Sequence, residues 1–193
     1  MGRLQAFDTT TVVQAARDLF WVKGYDAVSL SDLERVTGLN RSSLYNTFDN
    51  KRGLFDAAVQ NYLETVIRPR LLALEAEPDG RVALITYFTG LGAAIEALSG
   101  ESAQRGCLLV NSAAGLAGHD DALRAVVDGY RQQLSAALSR ALGRPPVSLE
   151  PPVLDSNARL LTSLSMSALL LVRINTTEAV EILNSAVEQI EAL

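Results

Sequence analysis

The sequence predicts an all-α protein with a small N-terminal three-helix head and a larger helical body, about nine helices in all. Three observations carry this. Apolar residues recur at spacings of three and four along most of the chain. No alternating run of Val, Ile and Thr is long enough to make a sheet. Turn-forming residues sit where the apolar stripes end, as at Gly24, Gly38 and Glu77-Pro78-Asp79-Gly80. With 193 residues, 48% of them hydrophobic, the chain can bury a sizeable core. The boundary between head and body is placed so that residues 1–56 form the first domain and 57–193 the second.

The first helix is expected over about Thr9–Lys23, with Val12, Val13, Ala16, Leu19 and Phe20 on one side, Asp8 or Thr9 as cap and Gly24 as stop. The tail before it is either disordered or adds a phosphate contact through Arg3. A short second helix, about Ser31–Thr37, has Leu33 and Val36 on one face and ends at Gly38. Asn40 caps a third, about Arg41–Thr47, whose inward residues are Leu44 and Phe48. A helix so brief and polar cannot be held by its own propensity. Docked through those two side chains, it leaves its other face for a partner, which is the layout of a helix-turn-helix reading element. A surface helical hairpin with solvated faces has the same periodicity. The residue types suit duplex DNA: Arg donates a fork to guanine, Asn pairs with the edge of adenine, and Ser or Thr serves bases or phosphates. Lys51 then opens the next helix, where a cation and free amides together suit a phosphate.

A fourth helix is expected from near Asn50 to about Ile67, stacking Leu54, Ala58 and Tyr62 before Arg68-Pro69 disturbs it. The fifth, Arg81–Leu98, carries Leu84, Ile85, Phe88, Leu91, Ile95 and Leu98 as a buried stripe. A short apolar helix starts at Arg105 and ends near Gly115, and Gly118-His119-Asp120-Asp121 caps a longer one through Leu142. Pro145, Pro146, Pro151 and Pro152 bracket a loop. The helix of about Pro152–Arg173 is apolar nearly all round, and the last, about Thr176–Leu193, spaces its apolar residues like a coiled-coil seam. That surface exceeds what a monomer of this size readily hides. A homodimer is therefore expected through Leu164, Ala168, Leu171, Val180, Leu183, Val187 and Ile190; an intrachain helical pair shares the periodicity.

Leu33, Gly38-Leu39, Leu44-Tyr45, Phe48 and Lys51 together resemble the DNA-binding domain of TetR/AcrR-family transcriptional regulators, without gaps from Ser29 to Lys51. The chain departs from the pattern at Thr37 for Ala, Leu39 for Val, Asn40 for Ser and Thr47 for His. The resemblance implies that Ser29, Tyr45 and Lys51 hold phosphates and that Arg41, Ser42, Ser43 and Asn46 face the bases. Thr47, where a His is common, leaves its own contact open, and Arg52 stands where many members carry an acid. The resemblance also implies a dimeric regulator, usually a repressor, on a pseudo-palindromic double-stranded operator, with a connector that transmits effector occupancy to the reading helices.

Net charge is −5. Up to Asp56 seven basic residues balance seven acidic ones, leaving ten basic and fifteen acidic in the remainder. A neutral head with Arg41, Lys51 and Arg52 clustered suits a few specific, salt-sensitive contacts rather than indiscriminate coating of nucleic acid. Enzyme chemistry finds no support: His119 is the sole histidine and sits at a helix start, no metal-ligand spacing is present, and no cofactor motif appears. One cysteine and the lack of a signal-like or membrane-spanning stretch lead to the expectation of a cytoplasmic protein that does not engage membranes. Cys107 is either an inert small core residue or a sensor thiol near a helix start and Arg105. With it, Tyr62, Tyr87, Phe88, Asn111, Tyr130 and Met166 are candidate lining for a pocket that takes a small apolar or electrophilic effector, and serve equally well as core. The other class of function is a helical dimeric interaction protein without sequence-specific DNA binding.

Overall fold

The structure, a computed structural model, describes residues 7–98 and 105–193; the expected Arg3 contact lies outside the described residues. The chain divides into two compact units, Met1–Val66 and Ile67–Leu193. All regular structure among the described residues is helical.

In the first unit α1 spans Thr9–Lys23, α2 Leu30–Thr37, α3 Arg41–Phe48 and α4 Lys51–Tyr62. Asp8 opens α1 by accepting from the amides of Thr10 and Thr11. Phe20 is fully buried against the rings of Tyr25 and Phe55, with centroids 6.1 and 5.1 Å away. Arg17 ties α1 to α4 by donating to Asn61 Oδ1 at 2.8 Å, and Trp21 meets the Tyr62 ring edge-on at 4.7 Å. The whole of α4 belongs to this unit because Leu54, Phe55, Ala58, Val59 and Tyr62 are all buried in it; the division therefore falls C-terminal to the expected 56/57. Gly53 is required at the first turn of α4, since a Cβ there would collide with the Phe48 carbonyl oxygen.

A π turn, Leu63–Ile67, follows α4. The sequence expected the helix to stop near Arg68-Pro69; instead α5 runs Arg68–Ala76. Pro69 falls in its first turn, directly after the π turn, where the fixed φ suits a helix.

In the second unit α6 spans Gly80–Glu96, α7 Leu108–Ala113, α8 Asp121–Leu142, α9 Val153–Leu171 and α10 Thr176–Glu191. Helix α6 packs on α10, α8 and α5, and α8 and α10 both pack on α9. Arg144 ends α5 by donating to the carbonyls of Leu74 and Glu75, both at 2.8 Å, and Arg140 pairs with the Glu75 carboxylate. Asp120 caps α8 through the Leu123 amide, whereas His119 is exposed in the turn before it.

One expectation needs correction here. Helix α10 buries Ala179, Leu183, Ala186 and Ile190, a stripe shifted from the expected seam, because it packs on both α6 and α9. Helix α9 is not covered all round: Leu160, Leu170 and, just past its end, Ile174 are 44%, 41% and 74% exposed.

Candidate nucleic-acid interface

The head positions its candidate reading residues with local hydrogen bonds. At the start of α2 the Ser29 hydroxyl oxygen accepts from the Asp32 amide at 3.1 Å, while the Asp32 carboxylate accepts from the Ser29 amide at 3.1 Å and the Ser29 hydroxyl at 2.8 Å. This reciprocal capping box fixes where α2 begins. The same carboxylate receives Arg35 at 3.0 Å and Lys23 at 3.2 Å. The Ser29 hydrogen bonds hold Asp32 far below the ordinary carboxylate value, with smaller contributions from the two cations. The Ser29 proton is therefore already given to Asp32, and donating it to a phosphate requires that bond to open.

Gly38 takes φ 70°, the left-handed conformation that lets the chain reverse, and its amide donates to the Glu34 carbonyl. Asn40 then accepts from the Ser43 amide at 2.9 Å and starts α3. A bond the sequence reading did not anticipate crosses the turn: Glu34 Oε1 accepts from the Arg41 amide at 2.6 Å, clamping α2 to the first turn of α3. The signal was available, since an acid just upstream of a short helix answers the bare amides at its N-terminus.

Helix α3 buries Leu44; Phe48 is only half-buried. Arg41, Ser42 and Asn46 are exposed, while Ser43, Tyr45 and Thr47 are half-buried. Ser42 and Asn46, four apart, lie on the side away from Leu44, with Tyr45 at its flank and Arg41 exposed in the first turn. The Arg41 guanidinium lies 5.3 Å from the Tyr45 ring centroid, with Nη2 3.4 Å from the phenol oxygen, so the two present one flat, cationic edge. Thr47 donates its hydroxyl to the Ser43 carbonyl at 2.9 Å and fills the helix rather than extending from it.

Asp49, at φ 64°, turns the chain, and Asn50 caps α4 through the Gly53 amide. The Lys51 ammonium sits 4.3 Å above the Tyr25 ring and makes no ion pair among the described residues. Burial pulls its pKa below the ordinary lysine value, against the opposing charge of Asp26. Tyr25, which the sequence reading passed over, thus holds the cation at the mouth of an amide-bearing helix start. Arg52 pairs with Asp56 at 2.7 Å, which offsets the extra attraction expected of it.

The other candidates divide. Tyr62 packs on Trp21 in the head. Phe88 is fully buried core, edge-on to Tyr87 at 5.1 Å. Tyr87 shares a hydrogen bond with the buried Ser165 hydroxyl at 3.2 Å, and burial raises its phenol pKa. A side-chain hydrogen bond with Tyr130 works on that phenol in the opposite direction. Cys107 is 1% exposed at the start of α7. Asn111 donates to the Arg105 carbonyl at 2.7 Å, and Met166 lines a separate cleft with Arg124 and Arg131. Of the expected dimer residues, Ala168, Leu183 and Ile190 are buried within the protomer and have no surface left to give a partner; Leu164, Leu171, Val180 and Val187 keep part of theirs. No cluster of metal-ligating side chains occurs among the described residues, and no helix there is long and apolar enough to cross a membrane.

Residues 12–58 match the family model described as bacterial regulatory proteins, tetR family. The chain is 34% identical over 144 residues to YezE of Bacillus subtilis (strain 168), an uncharacterized HTH-type transcriptional regulator, covering 75% of this chain and 73% of that protein. It is 32% identical over 112 residues to the HTH-type transcriptional repressor ComR of Escherichia coli (strain K12), covering 58% of this chain and 52% of that one. Among solved structures it is similar to a cysteine mutant of CifR, a TetR family regulator complexed with 26-base-pair double-strand operator DNA. There the TM-score is 0.81 and the identity 25%, over 96% of this chain and 98% of the other.

Proposed function

Because this chain belongs to the TetR family of bacterial regulatory proteins and is a DNA-binding transcriptional regulator, we propose that it is a cytoplasmic repressor, without catalytic activity, that binds a pseudo-palindromic operator as a homodimer and releases it when an effector occupies the body. The observation that carries the DNA half is α3 itself: one buried leucine anchors it, Ser42 and Asn46 are left open on the opposite side, and Arg41 is exposed in its first turn. In this reading those three and Ser43 face the bases. Tyr45, Lys51 and the first amides of α4 take phosphates, with Ser29 joining only if its bond to Asp32 opens. Repression is supported by the relative named as a repressor.

The dimer half is supported by the uncovered side of α9, where Leu160, Leu170 and Ile174 are exposed beside the half-buried Leu164, Leu171, Val180 and Val187. Two-fold pairing there would present two reading helices to successive major-groove faces. An effector that favours the non-binding conformation must lower operator affinity by the same coupling free energy with which DNA lowers its own.

A thiol input is a second reading, resting on the place of Cys107 at the start of α7 and on the likeness to a regulator studied as cysteine mutants. If Cys107→Ser still releases DNA on treatment with an oxidant or a quinone, the thiol reading is dead. The main reading is tested by selecting random duplex DNA with the purified protein at moderate salt. A retained two-fold symmetric motif is the expected result; no enrichment from a folded dimer would put the interaction-protein reading ahead.

A further inference from the structure

A cleft of 240 Å³ opens between α5 and α6, walled by Ala73, Leu74, Ala83 and Leu91. Two charged side chains reach it, Arg70 and Glu77. They are not equivalent. The Glu77 carboxylate already accepts from the Asp79 amide at 3.0 Å, holding the turn between the two helices. Arg70 is half-buried and has neither hydrogen bond nor ion pair among the described residues, although five donors on a partly desolvated guanidinium ordinarily find an acceptor. Behind it stands Tyr87, its hydroxyl engaged by Ser165. Gly90 also lines the cleft, in the middle of a helix where glycine is disfavoured, and a Cβ built there meets nothing within 4 Å. A cavity with apolar walls, one unanswered cation and a small residue at its lip is shaped for an amphiphile carrying a single negative charge. A dianion is disfavoured by the Glu77 carboxylate in the same cleft.

Resting on the reading of the body as effector-binding, we infer that this cleft is a ligand site for an apolar monocarboxylate, with Arg70 pairing its carboxylate and the Leu74–Leu91 wall taking its hydrocarbon part. The bidentate geometry of guanidinium and carboxylate makes the pairing stronger than a neutral hydrogen bond.

The test measures binding and release separately. Calorimetry on the full chain compares hexanoate, octanoate and 3-phenylpropanoate, each with its primary amide, and a gel-shift assay with selected operator DNA follows release. At least one carboxylate is expected to bind roughly tenfold tighter than its amide, the preference being lost in Arg70→Met and partly kept in Arg70→Lys. Gly90→Leu, whose Cβ meets nothing within 4 Å, should block acid and amide alike. The inference is overturned if no carboxylate beats its amide, if octylamine binds in their place through Glu77, or if folded Arg70→Met or Gly90→Leu binds the acids undiminished. A carboxylate that binds through Arg70 without releasing DNA upholds the site and removes the effector reading instead.

Discussion

Each α-helix of the head begins with a side chain that accepts from its first amides: Asp8, Ser29, Asn40 and Asn50 for α1 to α4. In the body only α6, α8 and α10 do so, through Asp79, Asp120 and Asn175, while α5, α7 and α9 start without one. The contrast follows from what each helix has to bury. Helices α2 and α3 are eight residues long and bury one leucine apiece, Leu33 and Leu44, so their ends must be held by local hydrogen bonds. Helix α9, at nineteen residues, buries six side chains and is held by packing. A reading head has to spend its outer surface on DNA; the body can turn its apolar faces inward.

The largest test of this contrast strikes the core that α1 and α4 form in the head. Phe20→Ala should cost about 3–5 kcal/mol and abolish DNA binding. Hydrogen exchange should meanwhile remain slow across α6, α8 and α9, because these belong to the other compact unit. Loss of protection there as well would show that the two units fold as one.

On the DNA side, Asn46→Ala should relax preference at one base position per half-site, at about 1–3 kcal/mol against the favoured base. Lys51→Ala should instead weaken binding across all sequences and lower the salt slope by about 1. Equal losses at every base for both variants would contradict the division between base and phosphate contacts.

Removing a cap compares the two regions directly. Asn40→Ala should cost about 1 kcal/mol of stability and lower operator affinity, whereas Asp120→Ala should cost a similar amount and leave that affinity unchanged. Denaturant melts paired with gel shifts read both.

The capping box makes a pH-dependent contribution. Asp32 titrates in the folded chain below its ordinary value of 3.8. It therefore adds stability above that value, fully present at neutral pH, which is lost as the pH falls through the lower folded value. The head's stability should be level from neutrality to about pH 5 and decline below pH 4, and Asp32→Asn should flatten that decline. An unchanged acid limb in the variant would locate the titration elsewhere, in Asp8 first, whose pKa is also lowered. The smallest effect is a gain: Gly90→Ala, mid-helix in α6 with open space around the new methyl, should stabilise the body by about 0.5–1 kcal/mol in the same melts.

Much of the head was legible in the chain because its determinants act over three or four residues. Gly24 and Gly38 stop helices by adopting positive φ, Asn40 caps the residue three on, and Leu44 alone anchors α3. The clamp from Glu34 to the Arg41 amide lay beyond that window, as did the ring of Tyr25 beneath Lys51. In the body the sequence found the helices but not their neighbours. Heptad-like spacing allowed two adjacent stripes on α10, and its packing on α6 and α9 selected the one containing Ala179, Leu183, Ala186 and Ile190. Arg68-Pro69 read as an interruption until α5 was seen to begin there.

By itself, then, the sequence determined the helical class, the helix starts of the head and the residue types on α3, since each depends on backbone geometry and hydrogen bonds between near neighbours. Which faces of α9 and α10 are spent inside the protomer, and the cleft that Arg70 enters between α5 and α6, were decided by tertiary packing. Periodicity states that a helix has an apolar side; only the shapes of the helices around it decide what that side meets.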